Sequence, residues 1–513
     1  MEHLTSLDRL LLRIEQPHHP MDLIMTWVLE PTENGPLPFT TVRAFLAERI
    51  TRVPVFTHRL VRQPFGIQVH RWAHDEDFDL DRHLHLLATD EPMALPQLAE
   101  LMVAIGADGP LPRDRPLWEM WYVDELTDGG SALILRHHHA IMDGVASVEM
   151  GEDLFDHDAV PFRPRDDVDH TALDHPHLIE RAAWLVPDLI GRSLNAASAA
   201  MRLTRTAARG GWLLVQGAPG RPPRTALDQP VVSTEKVTAF RSLSLDDVHR
   251  VRAGFPEASI NDVVVAVIAG ALRGFLAERE TLPETPLTAS MPVNIRRGDE
   301  PRAIGNYFTY GYATVPVQHA DRAQRLAAVC DRSRVEKERM VRVRAEGGTM
   351  EVEGPNVFPS ALWGPMGSFL TSPVFGLVPP VVNLSISTVP GPKRPWYIAG
   401  VKVAHLFNRV PTLPPIQLFF HSFSYVGDLE FGVTAYRETL PDAEALMDLV
   451  AEELRALVLL ADERVQAQPP ARPDPRVDVV PPRRPRPPRR PRTAARRRHP
   501  APGAAPRSHP PAD

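Results

Sequence analysis

The stretch His137-His138-His139-Ala140-Ile141-Met142-Asp143-Gly144 brings three imidazoles, a carboxylate and a glycine into eight residues. Histidine is the one side chain whose unperturbed pKa lets it take up a proton near neutral pH. As a general base it speeds proton removal in a transition state by about 10²–10⁴-fold. The pattern H-H-x-x-x-D-G, from His138 to Gly144, therefore points to base catalysis. Asp143 is read as holding the loop that carries the base, and Gly144 as permitting a tight turn. Two plainer readings compete. A histidine after an apolar strand is commonly a satisfied polar residue at the strand end. His137 and His139 would also share a face as zinc ligands, but zinc takes three or four ligands. The only cysteine, Cys330, stands alone in a helical-looking segment, so no metal is expected.

A base needs a rigid element beneath it. The apolar run Ala132-Leu133-Ile134-Leu135 reads as a buried strand that ends in the histidines. Side chains alternate along a strand, so His137 and His139 share one face and Arg136 and His138 the other. Trp118 to Val123 reads as a second strand, and Thr41 to Thr51, Leu98 to Ile105 and Val145 to Phe155 as helices. His157 to His177 reads as a loop, Leu178 to Val215 as a long helical connection, and Gly217 to Pro223 as a breaker cluster. The second half repeats the α/β style. Strands are expected at Val237–Leu243, Thr288–Ile295, Gln417–Tyr425 and Glu430–Ala435, with helices at Asn261–Glu280 and Ala443–Leu460.

Composition narrows the class. At 513 residues the chain is too long for one ordinary core, and 43% hydrophobic content supports a folded body. One cysteine excludes a disulfide framework and fits a reducing compartment. The N-terminus lacks a basic region followed by a long apolar core, so no secretory signal is expected. A spanning helix needs roughly 20 apolar residues. Val374 to Val382 comes nearest, and Pro379-Pro380 breaks it. From residue 471 onward twelve arginines stand against three aspartates, so the net charge of −7 hides a strongly acidic body. An acidic body argues against a nucleic-acid-binding fold. The Pro/Arg/Ala composition beyond about residue 465 cannot build a core and reads as disordered.

Further motifs, in chain order, narrow the reading. They are Leu7-Asp8 with His19-Pro20-Met21, Arg115-Pro116-Leu117-Trp118, Asn261-Asp262, and Met291 to Arg296 followed by Gly305-Asn306. Asn383 to Ser387 with Val389-Pro390-Gly391-Pro392, Tyr425-Val426-Gly427 and Leu440-Pro441-Asp442 complete the series. With H-H-x-x-x-D-G, they resemble the bacterial wax ester synthase/diacylglycerol acyltransferase family of the chloramphenicol acetyltransferase-like superfamily, from about residue 5 to 460. Thr388 and Tyr436 depart from the family pattern, where asparagine and aspartate are usual.

The resemblance implies an α/β fold (an α+β sandwich) of two chloramphenicol acetyltransferase-like domains, with the active site in a channel between them. The expected division is 1–205 for the first domain, 206–235 for a linker, 236–465 for the second domain and 466–513 for a disordered tail. The implied activity is O-acyl transfer from a long-chain acyl-CoA to diacylglycerol, with fatty alcohol as a second acceptor. His139 would remove the hydroxyl proton, supported by Asp143 and by His138, Gly144 and Arg296. Arg296 is the expected basic partner of Asp143. Asn261 is read either as a helix cap or as an oxyanion donor. Pro116, Leu117 and Trp118 are read either as core or as lining the acyl channel. No cofactor is expected beyond acyl-CoA as substrate, and no nucleic-acid partner. The implied place is the cytoplasm, or the periphery of the inner membrane or lipid bodies. Two alternatives stay open: another H-H-x-x-x-D-G acyltransferase of condensation or polyketide type, and a catalytically silent lipid-binding protein.

Overall fold

The apolar run before the histidines becomes the middle of a sheet. The computed structural model describes residues 2–61, 71–163, 221–228, 233–296, 305–345, 382–412 and 416–467. The first half runs β1 (Glu2–His3), α1 (Ser6–Ile14), β2 (Asp22–Leu29), α2 (Phe39–Arg49), β3 (His58–Val61), β4 (Arg71–His74) and β5 (Leu84–Leu87). It continues through α3 (Leu95–Ala107), β6 (Trp118–Val123), β7 (Ser131–His138) and α4 (Gly144–Leu154). The second half begins β8 (Lys236–Ser244), α5 (Leu245–Gly254), α6 (Ile260–Glu278), β9 (Leu287–Asn294), β10 (Phe308–Val315) and α7 (Arg322–Ala345). It ends β11 (Leu384–Val389), β12 (Tyr397–Ile398), β13 (Val401–Arg409), β14 (Leu418–Tyr425), β15 (Asp428–Tyr436) and α8 (Ala443–Ala467).

Two six-stranded sheets carry these elements, ordered β12-β13-β2-β7-β6-β5 and β10-β9-β11-β14-β15-β8, beside a small sheet β1-β4-β3. β2 and β7 are buried along their whole length. A strand covered on both faces has no reason to alternate, which is why Ala132–Leu135 reads as one continuous apolar run. β13 pairs with β2 in antiparallel register, Asn408 opposite Met25 and Arg409 opposite Ile24. The second half thus lends Tyr397–Arg409 to the first sheet. The expected division at 1–205 and 236–465 does not hold for these two strands, because no boundary drawn along the chain can place them.

The second sheet is backed by α6. Val263 to Ala269, Ala271, Leu272, Phe275 and Leu276 are all buried, so its apolar residues run round the helix instead of forming a stripe. By length and composition alone this helix is apolar enough to cross a membrane. The expectation that no stretch comes near that length is therefore corrected, although the helix is here packed into a core. α8 extends to Ala467, slightly past the expected start of the tail at 466. The tail from 468, the helical connection at 178–215 and most of the breaker cluster lie outside the described residues.

The halves meet through side chains as well as strands. The Phe240 ring of β8 stacks on Phe407 of β13 at 5.0 Å. His405 Nδ1 lies 2.9 Å from Glu430 Oε1, joining β13 to β15.

Candidate active site

The backbone that bears the histidines is clamped on both sides. His138 N donates to Leu117 O at 3.0 Å and His139 N donates to Met21 O at 2.7 Å. β7 stops at His138, so His139 stands just past the strand, in the turn. The three imidazoles then meet three different fates. His137 is fully buried, and burial pushes it down to about 3, against a partial pull from the His138 carbonyl. It is a neutral core group. His138 is also fully buried; its Nδ1 accepts from Ala140 N at 2.9 Å, and its Nε2 lies 3.3 Å from Glu15 Oε1. Burial pushes the Glu15 carboxyl up, but His138 and Arg113 pull harder and hold it at about 2. Both nitrogens of His138 are thus occupied in shaping the turn.

His139 is the partly exposed member of the run. Its Nδ1 is buried and meets no hydrogen-bond partner among the described residues. Burial lowers its pKa, while its own carbonyl, the Asp143 charge and the Asn306 side chain oppose the fall. The imidazole is therefore a neutral base near pH 7, and its ring lies 6.1 Å from that of Phe308 on β10.

Asp143 is the N-cap of α4, Oδ1 accepting from Val145 N at 3.1 Å and Ala146 N at 3.0 Å. Its Oδ2 accepts from Arg296 Nη1 at 2.8 Å and from Tyr307 N at 3.0 Å. The expected Asp143–Arg296 pair is thus present. Arg296 Nη2 donates in turn to Gly305 O at 3.0 Å, and Met142 forms a parallel bridge with Gly305. The loop after the base is fastened to a segment of the second half.

Asn306 makes a second fastening. Its Nδ2 donates to His139 O at 2.6 Å and to Asp8 Oδ1 at 2.8 Å. Asp8 is buried, and burial raises its carboxyl to about 6 although Asn306 and Thr5 pull it down. The signal for Asp8 was local: Thr5 and Asp8 form a capping box at the start of α1.

Two expectations need correction, and a third is met in its first form. Gly144 is the first residue of α4 and is not among the glycines with positive φ. Its need is space, since a Cβ there would meet Val389 Cγ2 at 2.8 Å. Asn261 is not the cap of its helix; Ser259 caps α6 in a capping box with Asp262. Asn261 is exposed, and no hydrogen bond or ion pair joins it to His139 among the described residues. Pro116, Leu117 and Trp118 are buried core. The Trp118 ring stacks on His83 at 4.5 Å and its Nε1 donates to Phe56 O at 2.8 Å. Their link to the site is the Leu117 carbonyl that holds His138.

Residues 4–264 match the model of the wax ester synthase/diacylglycerol acyltransferase catalytic domain, and residues 304–458 that of the C-terminal domain of the same enzymes. A putative diacylglycerol O-acyltransferase of Mycobacterium tuberculosis is 30% identical over 482 residues, covering 90% of this chain and 91% of its own. A probable diacylglycerol O-acyltransferase of the same organism is 29% identical over 469 residues, covering 90% and 97%. Among solved structures, the wax ester synthase/diacylglycerol acyltransferase from Marinobacter aquaeolei VT8 superposes with a TM-score of 0.63 at 23% identity, covering 90% of this chain and all (100%) of that one. The first condensation domain of the calcium-dependent antibiotic synthetase, in complex with a substrate analogue, gives 0.55 at 18% identity, covering 90% and 97%. The fold is thus the two-domain, chloramphenicol acetyltransferase-like α/β fold.

Proposed function

Because the chain belongs to the wax ester synthase/diacylglycerol acyltransferase family, we propose that it moves a long-chain fatty acyl group from acyl-CoA to diacylglycerol, with fatty alcohol as a second acceptor. The observation that carries the reading is His139: a neutral imidazole, partly exposed and fixed through its backbone from two sides. The acceptor hydroxyl gives its proton to Nε2 as its oxygen attacks the thioester carbonyl carbon. The tetrahedral intermediate collapses, the C–S bond breaks, and the CoA thiolate takes the proton back from the imidazolium. No acyl-enzyme is required. Cys330 is buried, and burial pushes its thiol up to about 11, which disfavours it as a nucleophile. Asp143 and Arg296 hold the loop and are positioning residues.

The acceptors are insoluble in water, so the enzyme meets them at a surface. The arginines from Arg483 to Arg498 fit an anionic lipid surface, each worth about 1 kcal/mol near it. This reading places the protein in the cytoplasm, peripheral to the membrane or lipid bodies. The deciding experiment follows CoA release from palmitoyl-CoA with diacylglycerol, hexadecanol or an amine as acceptor. Release with diacylglycerol or hexadecanol supports the proposal. Release with the amine alone transfers the protein to a condensation-type chemistry.

A further inference from the structure

Asp8 divides its two carboxylate oxygens between different tasks. Oδ2 accepts from Thr5 N at 2.7 Å and completes the capping box of α1. Oδ1 accepts twice from one residue of the second half, from Asn306 N at 3.0 Å and from Asn306 Nδ2 at 2.8 Å. A cap alone needs only the first oxygen. Asp8 is 1% exposed and Asn306 3% exposed, so both act inside the protein. The two segments approach this closely because residue 305 is glycine. Its φ is +111°, and a Cβ there would meet Asp8 Oδ2 at 2.9 Å and Thr5 Cγ2 at 3.2 Å. Burying an acid is costly unless its oxygens are bonded. Burial raises the Asp8 carboxyl to about 6 against the pull of Asn306 and Thr5, which leaves it ionised at pH 7.

The second acceptor of Asn306 Nδ2 is the His139 carbonyl, at 2.6 Å. A carboxylate and a carbonyl can only accept, so the side of the amide that faces both is its NH₂. With a donor at position 8, the amide would be free to turn over and set its oxygen against the His139 carbonyl. The charge on Asp8 thus settles which way the amide points. Asn306 Oδ1, on the amide's other side, is buried and meets no hydrogen-bond donor among the described residues. A buried, unpaired acceptor lowers stability. The amide is therefore better explained by what it holds than by what it adds to the fold.

We propose that Asp8 is a positioning residue for the base: its carboxylate sets the Asn306 amide with the NH₂ toward the His139 carbonyl, and the amide fixes the His139 backbone and the imidazole it carries. The inference rests on the reading of His139 as the base. Asp143 and Arg296 secure the loop after the base, whereas Asp8 and Asn306 secure the base residue itself. The start of α1, the turn of the base and the segment at Gly305 and Asn306 are joined through one amide.

The test measures melting temperature, and kcat and KM for CoA release from palmitoyl-CoA with diacylglycerol, in the full chain. The variants are Asp8→Asn, Asn306→Ala, the two combined, Thr5→Ala and His139→Ala. Asp8→Asn keeps the shape of the side chain but leaves either Thr5 N or the Asn306 amide without an acceptor. A small misplacement of a reacting group costs up to about 10²-fold in rate. Asp8→Asn and Asn306→Ala should each lower kcat by at least about tenfold, with KM within about threefold of wild type. The combined variant should fall no further than the worse single one, because the two residues act in series. Thr5→Ala removes the other half of the capping box and should lower the melting temperature while keeping kcat. If Asp8→Asn does not fold, Asn306→Ala carries the test, since it leaves the capping box intact. The proposal is overturned if a folded Asp8→Asn or Asn306→Ala keeps the wild-type kcat, or if the combined loss is the product of the single losses. It is also overturned if Thr5→Ala loses as much kcat as Asp8→Asn, which traces the effect to the helix. Near-normal turnover in His139→Ala overturns the base and the proposal together. Loss there with wild-type kcat in Asp8→Asn overturns the proposal alone.

Discussion

Asp143→Asn changes one atom of a carboxylate that accepts four hydrogen bonds. If the amide oxygen takes the Oδ1 position, the cap of α4 survives. The amide NH₂ then points at two donors, Arg296 Nη1 and Tyr307 N, which the carboxylate held at 2.8 and 3.0 Å. Arg296 loses its counterion in a place where its side chain is 11% exposed and that of Asp143 is 7% exposed. Removing one partner of a buried pair costs about 3–5 kcal/mol, and the residual exposure sets the value near the lower end, at about 3 kcal/mol. The loss is also felt at the base. Arg296 holds Gly305, and Asn306 next to it holds the His139 carbonyl, so the base loses its fixed place along with its loop. The measurement is denaturant unfolding and CoA release for Asp143→Asn, Arg296→Met and the double variant. Each single change should cost about 3 kcal/mol and at least tenfold in turnover, while the double variant costs much less than the sum, because neither charge is then left alone. Additive effects within about 0.5 kcal/mol mean that the pair does not act as a unit, and would refute this account of the loop.

His139→Ala should leave a folded protein with turnover reduced by about 10²–10⁴-fold; near-normal CoA release from the folded variant removes His139 as the base. Gly144→Val should cost about 1–3 kcal/mol by overpacking against Val389, and an unchanged unfolding midpoint would show that the contact yields freely. The pH profile of kcat/KM should rise to a plateau with its acid-limb midpoint below 6.5, the ordinary histidine value that burial lowers at His139. A midpoint at or above 7 contradicts a buried neutral base. His137 is held at about 3 against 6.5 in the unfolded chain, so the unfolded state binds more protons across that window. Its stabilising contribution is complete above pH 6.5 and is lost as pH falls, at about 1.4 kcal/mol per pH unit. His137→Leu should flatten the acid limb of stability by that amount, and an unchanged slope argues that another group governs it.

What the sequence discloses and what it hides divide along one physical line. Elements whose signal lies within a few residues are legible. The continuous apolar run of β7, the helix after Asp143 and the paired strands β14 and β15 all follow from short-range pattern. Two capping boxes are equally local signals. Thr5 with Asp8 marks the start of α1, and Ser259 with Asp262 marks the start of α6, which shows that Asn261 is not the cap. The groups that make the site work are of another kind. His138 is occupied because Glu15 reaches it from just past the end of α1, and β13 enters the first sheet from far along the chain. The loop of the base is fixed by Arg296, Gly305, Asn306 and Tyr307, all from the second half. No window contains both partners of such a pair, so periodicity cannot report it. Charge offers the one long-range clue. A carboxylate and a guanidinium that must both be buried need each other, and that need is why Asp143 and Arg296 could be joined before the fold was known. Asn306 carries no charge and imposes no such demand, so its hold on His139 emerges only when the two halves are placed together.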